Sequence, residues 1–400
     1  MHIKILSLII ILLSFNVAAS DDHDFSFTGY LRSGVGSASD GGDQACFQLP
    51  GVRVKYRLGN ECDNYSEIGL SHTLFSEKKT PATPFKLTYH GLLAYIVDAD
   101  DDFETYSPAF RVNYIEAENV LPNQPQAKIW VGKRFYRRHD IHINDFYFWD
   151  NSGPGGGIED YKLSFANFSY GYLRNADAAG NAGTTHDFLL SEIETNKNGK
   201  INIGLSLGRA DERDNSVNQD SNGWAINFIH QQSSLLGGYN KLSLQYGKEA
   251  MNNPGGRTNS SAHKNDETSR FTNQTLFNPN PSWTGLLVFI YEKSTVNDSD
   301  NTWLSTGARP QYHFTEYTSL ALEVGFDQFK PEGASSRELY KISLAPQISS
   351  GRLFWSRPVL RAFITYAAWN QEAEDTGIDI NNVYSSKSGV SYGLQADVWW

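Results

Sequence analysis

Apolar and polar residues alternate with period two along much of this 400-residue chain. From Ile201 to Gly208 every odd position is apolar and every even one is small or polar. Val390, Tyr392, Leu394, Ala396, Val398 and Trp400 share one face, and Ser391, Gly393, Gln395, Asp397 and Trp399 the other. Leu320, Leu322, Val324 and Phe326 oppose Ala321, Glu323, Gly325 and Asp327, while Ile68, Leu70 and Leu74 oppose Tyr65, Glu67, Ser71 and Thr73. Such alternation predicts β-strands with one face in an apolar medium and the other in water or a polar interior.

A soluble sandwich or β-solenoid would bury the apolar face in a core, whereas a membrane barrel would turn it toward lipid. Three features favour the barrel. Aromatic residues gather at strand ends, as an interfacial girdle requires. Long polar connections are expected at residues 211–222, 249–282 and 370–388, against a tight turn at Leu235-Leu236-Gly237-Gly238. The last strand runs to Trp399-Trp400.

The first residues read as a leader: Lys4, an apolar run from Ile5 to Phe15, then Val17-Ala18-Ala19-Ser20. That is the pattern of a secretory signal peptide cleaved near Ser20, with residues 21–400 as one barrel domain. Spread over about 16–18 strands, the remaining chain leaves roughly 21–24 residues per strand and connection, enough for a water-filled channel.

Composition narrows the class. Lys plus Arg is 34 and Asp plus Glu 45, a formal net charge of −11, which argues against phosphate binding and so against nucleic acid. Mean hydropathy is −0.46. Beyond the leader no run approaches the ~18 apolar residues of a membrane helix, which excludes a helical membrane protein. Aromatics make up 13 % of residues, a share that suits a barrel or a secreted all-β protein. Cys46 and Cys62 are the only cysteines. In an exported chain a disulfide is their default state, with two free thiols as the alternative.

Parity also picks out candidate chemistry. If Phe27, Leu31 and Val35 meet lipid, then Tyr30 and Arg32 point together into the lumen. The same logic puts Tyr65 beside Glu67, Trp355 beside Arg357 and Arg361, and Trp399 beside Asp397. Rings beside charged groups suit a carbohydrate, whose C–H face stacks on aromatics while its hydroxyls hydrogen-bond to charged side chains. Lumen aromatics that merely fill space are the competing account.

Several runs resemble the maltoporin family of sugar-specific outer-membrane porins. They are Gly29-Tyr30-Leu31-Arg32-Ser33-Gly34, Cys46-Phe47-Gln48, Tyr56 through Cys62, Gly132 through His142 and Asp145 through Asp150. Ser152-Gly153-Pro154-Gly155, Gly208-Arg209-Ala210, Trp355-Ser356-Arg357-Pro358 and Trp399-Trp400 continue the match in order to the last residue.

The resemblance implies an antiparallel barrel of about 18 strands, assembled as a homotrimer in outer-membrane lipid and needing no cofactor. It implies a third loop folded inward around Arg138 to Gly157, and a spiral of aromatics that guides maltose and maltodextrins. Here that greasy slide would be Tyr30, Tyr65, Phe103, Tyr239, Trp355 and Trp399. Family members carry Trp at the Phe103 position, in a loop that reaches over from a neighbouring subunit, and Phe at the Tyr239 position. The polar tracks would be Arg32, Arg57, Glu67, Arg111, Arg138, Asp140 and Asp145, with Tyr147 as the constriction and His142 nearby. The chain is shorter than typical members, and the last long external connection, near 370–388, is reduced.

Rival classes meet specific obstacles. His139, Asp140, His142 and Asp145 offer no open set of three metal ligands. Asp140 and Asp145 have arginine neighbours expected to keep both ionised, the opposite of what a glycosidase acid needs. No Gly-x-Ser-x-Gly elbow is present for a barrel esterase. A channel for another oligosaccharide, a general diffusion porin and a soluble carbohydrate-binding β protein stay open as alternatives.

Overall fold

The computed structural model describes residues 25–77, 84–98, 107–176, 182–210, 222–378 and 386–400. Its first ten strands are β1 (Phe25–Ala38), β2 (Asp63–Ser76), β3 (Lys86–Asp98), β4 (Ala109–Glu118), β5 (Lys128–Arg134), β6 (His139–Ile141), β7 (Phe146–Trp149), β8 (Gly153–Lys162), β9 (Asn167–Ala176) and β10 (Ala182–Asn196). The rest are β11 (Gly199–Ala210), β12 (Asn222–Leu235), β13 (Gly238–Glu249), β14 (Glu267–Asn280), β15 (Trp283–Val296), β16 (Ser299–His313), β17 (Thr318–Pro331), β18 (Arg337–Ser349), β19 (Val359–Trp369) and β20 (Ser388–Trp399). One short helix, α1 (Gln371–Glu374), lies between β19 and β20.

All strands but β6 and β7 belong to one 18-stranded antiparallel sheet. Chain neighbours pair with one another, β5 pairs with β8, and β20 returns to β1 from Tyr30↔Trp399 to Ala38↔Ser391. The sheet is therefore a closed barrel. Closure leaves no unpaired edge, the condition for β-structure to sit in lipid.

Register decides which side chains face the lumen. Tyr30 lies opposite Glu67 on one neighbour and Trp399 on the other, and Arg32 opposite Tyr65 and Asp397. The opposite parity exposes Phe27, Val35, Ile68, Leu70, Leu205, Leu207, Leu344 and Leu394. This is the lipid-facing band that the alternation predicts.

The apolar core lies inside the barrel. On β15, Leu286, Val288 and Ile290 share the inward side with Glu292 and are buried. They belong to one cluster with Val52, Val54 and Tyr56 from the β1–β2 connection and Ile141, Ile143, Phe146 and Phe148 from the β5–β8 connection. Strand β15 thus reads as apolar on both faces, because lipid covers one side and folded-in loops the other.

The β1–β2 connection is closed by the Cys46–Cys62 disulfide across 16 positions. A loop of that size is worth about 3 kcal/mol through the unfolded chain. Within it, Asn60 accepts from the Phe47 amide at 2.7 Å and donates to the Phe47 carbonyl at 2.9 Å. The Leu58 amide donates to Glu323 at 2.9 Å, and Arg309 reaches the same carboxylate at 2.7 Å. The Tyr56 ring lies flat against Gly307 and Gly325, where any Cβ would overlap it.

Several expected boundaries shift. Residues 249–282 are not one long connection, since β14 occupies Glu267–Asn280. Its outward Asn273 and Thr275 blur the alternation. The connection expected to run to Gly157 ends before Gly153, because the glycine-rich stretch from Gly153 is strand β8. Residues 1–24, 99–106, 211–221 and 379–385 lie outside the described residues. The leader, Phe103 and much of two expected connections fall there.

Candidate functional site

The hairpin β6–β7, joined by a 3-10 turn at His142–Asn144, builds one wall of the lumen. Its core side packs on the barrel. Trp149 lies against Gly204, and the Phe146 ring stands 5.2 Å from Trp303. Gln245 and Arg270 donate to the Phe148 carbonyl at 2.9 and 3.1 Å. Two other loops hold it in place. The Lys55 and Arg57 amides donate to Asn144 and Ile143 carbonyls at 3.1 and 3.0 Å, and the Asp150 amide donates to Gly255 at 2.6 Å. A hairpin fixed from three sides keeps its lumen-facing side chains in place.

Between this hairpin and the β20–β1–β2 wall lies a cavity of about 480 Å³. Tyr30, Tyr65, Trp399, Arg32, Arg57, Glu67, Arg111, Arg138, Asp145, Tyr147 and His142 all line it, each of them a candidate read from the sequence, together with Asp63, Ile96 and Asp150. A larger hollow of about 880 Å³ opens between β17 and β1 among Val35, Phe314, Ile348, Leu360 and Leu394. Its largely apolar lining faces lipid, so the smaller cavity is the one that meets solute.

Rings follow one another along the wall. Tyr65 and Tyr30 are 5.9 Å apart, and Trp399 and Trp355 6.5 Å apart. Tyr30 and Trp399 are cross-strand partners that join the two pairs. Trp355 comes from the turn between β18 and β19. His142 stands edge-on to both indoles, 5.0 Å from Trp355 and 6.1 Å from Trp399. Tyr239 lies on β13 outside this cavity, so the structure does not bring it against the other four rings.

Charged groups flank the file. Arg57 donates to Glu61 at 2.6 Å and to the Tyr30 hydroxyl at 3.1 Å, and stands 3.5 Å from Asp145. It therefore braces its own disulfide loop and also faces the lumen. Arg32 pairs with Asp63 at 2.5 Å, and the Tyr65 hydroxyl donates to Glu67 at 2.6 Å. Arg111 and Arg138 both lie over the Phe135 ring, at 5.3 and 4.0 Å, and Arg138 also covers Tyr147 at 4.3 Å.

The loop groups respond to burial and charge together. Burial alone would raise Glu61, but Arg57, Lys55 and Arg32 hold it well below the usual carboxylate range. Burial, reinforced by Arg57 and Arg357, pushes His142 well below its ordinary value, so the ring is neutral. Burial, Lys241 and Arg137 take His139 down to about 3. Tyr147 is pushed up to about 12 by burial against the pull of Arg138. Asp140 shifts the opposite way from Glu61. Burial raises its carboxyl and outweighs Lys241, Arg138 and Arg57.

Parity placed Arg357 and Asp397 beside the slide aromatics, and the structure pairs them. Arg357 donates to Asp397 at 3.0 Å and covers the Trp399 ring at 4.2 Å. Both sit two residues from a slide aromatic, so parity already held the signal. Sequence reasoning did miss Asp63, which shares the parity of Tyr65 and Glu67 at the start of β2, and Asp150, which only the folded hairpin brings to the cavity. No group of three metal-binding side chains occurs among the described residues. His139 packs on Phe148 and Trp149, with ring centres 6.0 and 5.4 Å away, while His142 lines the cavity.

A closed antiparallel barrel with a lipid-facing apolar band and a charged, aromatic-lined lumen defines an outer-membrane porin of bacteria, a channel rather than an enzyme. The chain belongs to the LamB porin family, whose model, described as LamB porin, matches residues 25–400. Among solved structures it is similar to OmpT of Vibrio cholerae in its trimer form, at 10 % identity and TM-score 0.46, covering 95 % of this chain and 100 % of that one. The anion-selective porin from Comamonas acidovorans matches at 9 % identity and TM-score 0.47, covering 94 % and 100 %. Pseudomonas aeruginosa OpdQ matches at 9 % identity and TM-score 0.48, covering 94 % and 99 %.

Proposed function

We infer that the channel carries maltose and linear maltodextrins by facilitated diffusion, as a homotrimer and without a cofactor. The observation that carries this reading is the file of rings Tyr65, Tyr30, Trp399 and Trp355 with guanidinium and carboxylate groups at its edges. General diffusion has no use for such a file. A glucan chain presents a repeating apolar face and a repeating hydroxyl rim, and both repeats find partners here. The rings take the faces. Arg32, Arg57, Arg111 and Arg138 donate to hydroxyls, while Glu67, Asp140 and Asp145 accept from them. Exchange between neighbouring partners keeps each hydroxyl satisfied as the chain advances, and each contact is weak enough to release. Tyr147, with Arg138 stacked on it, sets the bore, and His142 backs the two indoles.

The test is planar-bilayer conductance of the purified protein with linear maltodextrins of rising length. Saturable block that strengthens with length supports the reading. Block by another oligosaccharide alone changes the substrate, and open current with no block by any oligosaccharide refutes a sugar path.

A further inference from the structure

The outer face of β5 and β8 through β12 is graded from apolar to cationic. Rows of cross-strand partners run side by side there. Ile129, Ile158, Tyr170, Phe188, Leu205 and Ile226 form the row deepest in the apolar band. Val131, Gly156, Tyr172, His186, Leu207 and Trp224 form the next, two residues nearer the strand ends. The outermost row sets Lys133 opposite Pro154, then Arg174, Thr184, Arg209 and Asn222 in succession. Gly155↔Leu173 puts Pro154 and Arg174 one step further along, so that row is continuous. It points away from the lumen: Leu173, Gly183 and Gly208 are buried, whereas Lys133, Arg174 and Arg209 are exposed.

Apolar side chains, then aromatic rings, then cations is the order met on passing from hydrocarbon through the interface to the headgroups of a membrane. At the middle level Tyr172 and Trp224 are exposed, and the His186 imidazole is occupied by the Tyr170 hydroxyl at 2.8 Å. The cationic row lies where residues 211–221 join β11 to β12, whereas β10 and β11 meet at their other ends through the tight turn at Lys197-Asn198. Long connections belong to the outer side of a bacterial outer membrane and short turns to the inner.

Charge sets this row apart. The chain carries a formal net charge of −11, yet none of the three rows holds an Asp or Glu. Lys248, also on the outer face, is neutralised by Glu249 at 2.8 Å. Arg174 is steadied instead by an uncharged group, donating to the Thr184 hydroxyl at 2.7 Å. Among the described residues Lys133 and Arg209 make no ion pair or hydrogen bond. Arg174 and Arg209 stand on alternate strands, about 9–10 Å apart, a gap that long side chains close around one phosphate. The guanidinium fork matches phosphate oxygens in pairs.

We propose that Arg174, Thr184 and Arg209, with Lys133 further along the row, form an outer-face site for the phosphorylated headgroup of an outer-leaflet glycolipid. Its acyl chains lie along the apolar rows, and Tyr172 and Trp224 flank the junction between chain and headgroup. The site is separate from the lumen and does not depend on which solute the channel passes.

The test titrates the purified full-length porin in detergent with diphosphorylated lipid A and with its dephosphorylated form, and reads the lipid-bound fraction by native mass spectrometry. The phosphorylated form should bind at least about tenfold more tightly, the worth of one hydrogen bond between charged partners. Arg174→Gln combined with Arg209→Gln should remove most of that preference, and the paired Lys replacements should keep part of it. Lys248→Gln, which removes a cation already neutralised, should leave it unchanged. Equal binding of the two lipids, an unchanged preference in the double Gln variant, or an equal loss with Lys248→Gln would each overturn the site. Displacement of lipid A by inorganic phosphate at matched concentration would make this a simple anion site and overturn the glycolipid assignment. A double Gln variant that binds lipid A normally but changes its oligomeric state in detergent would make the face a contact between copies, which also overturns it. If the double variant does not fold, Lys133→Gln combined with Arg209→Gln reads the same row, and an unchanged lipid preference there overturns the proposal.

Discussion

Trp355→Ala removes one ring from the file while leaving the wall strands in place. Trp355 is carried by the turn between β18 and β19, 6.5 Å from Trp399, 5.0 Å from His142 and 4.9 Å from Phe354. A sugar face laid on the indole hides on the order of 60–80 Å² of apolar surface, which at about 25 cal/mol/Å² is about 1.5–2 kcal/mol, or roughly 10–30-fold in binding. The bore at Tyr147 is built by other residues, so ion current without sugar should stay similar. Half-blocking concentrations of maltohexaose, read from single-channel current, measure the effect. Trp355 also braces His142, so Trp355→Phe serves as the control: it keeps a ring and should lose less than about threefold. Unchanged maltohexaose affinity in Trp355→Ala would refute the stacking argument. A large rise in sugar-free conductance would assign the loss to a loosened hairpin instead.

Other expectations follow from the same geometry. Tyr147→Ala, which also frees Arg138 from its ring, should raise single-channel conductance; equal or lower current would remove Tyr147 from the constriction. Cys46→Ser with Cys62→Ser should cost about 3 kcal/mol and add current noise, because the β1–β2 loop pairs with the hairpin through Lys55 and Arg57. Chemical denaturation and noise spectra of the pair check both effects. Glu61→Gln leaves Arg57, Lys55 and Arg32 without their shared carboxylate and should cost about 3–5 kcal/mol, read as faster proteolysis of that loop. His139 and His142 have folded-state values below the unfolded value, so their stabilising effect is complete above about pH 6.5 and is lost as pH falls toward the folded values. Melting temperature in detergent should fall on acidification below that point, and less steeply in His139→Asn.

Legibility differed from place to place for physical reasons. Tyr30, Arg32, Tyr65, Glu67, Trp399 and Asp397 were readable because a strand has period two, so a lipid-facing neighbour fixes where they point. Strand β14 was missed because Asn273 and Thr275 put polar groups on its outer face, and Asn240 from β13 bonds Thr275 at 2.8 Å there. Strand β8 was missed because Gly153, Gly155, Gly156 and Gly157 carry no side chain to alternate. Tyr239 matched a family position, yet its surroundings were invisible. Gln274, the cross-strand partner of Lys241, and Asp140 are far apart in sequence and meet only once the hairpin folds inward.

What the sequence determined by itself was the barrel, its inward and outward faces, and the family. Those follow from alternation along single strands and from contiguous motifs, which are local properties of the chain. The tertiary structure alone decided the bore and the charge state of what lines it. The hairpin 139–149 is held by backbone pairing with the β1–β2 loop, by Gly255 and by side chains on β13 and β14, all distant in sequence. The neutrality of His142 comes from burial reinforced by Arg57 and Arg357, and Glu61 stays ionised against burial through Arg57, Lys55 and Arg32, groups supplied by separate strands and loops. Desolvation and Coulomb energy depend on separation in space, which no local pattern encodes.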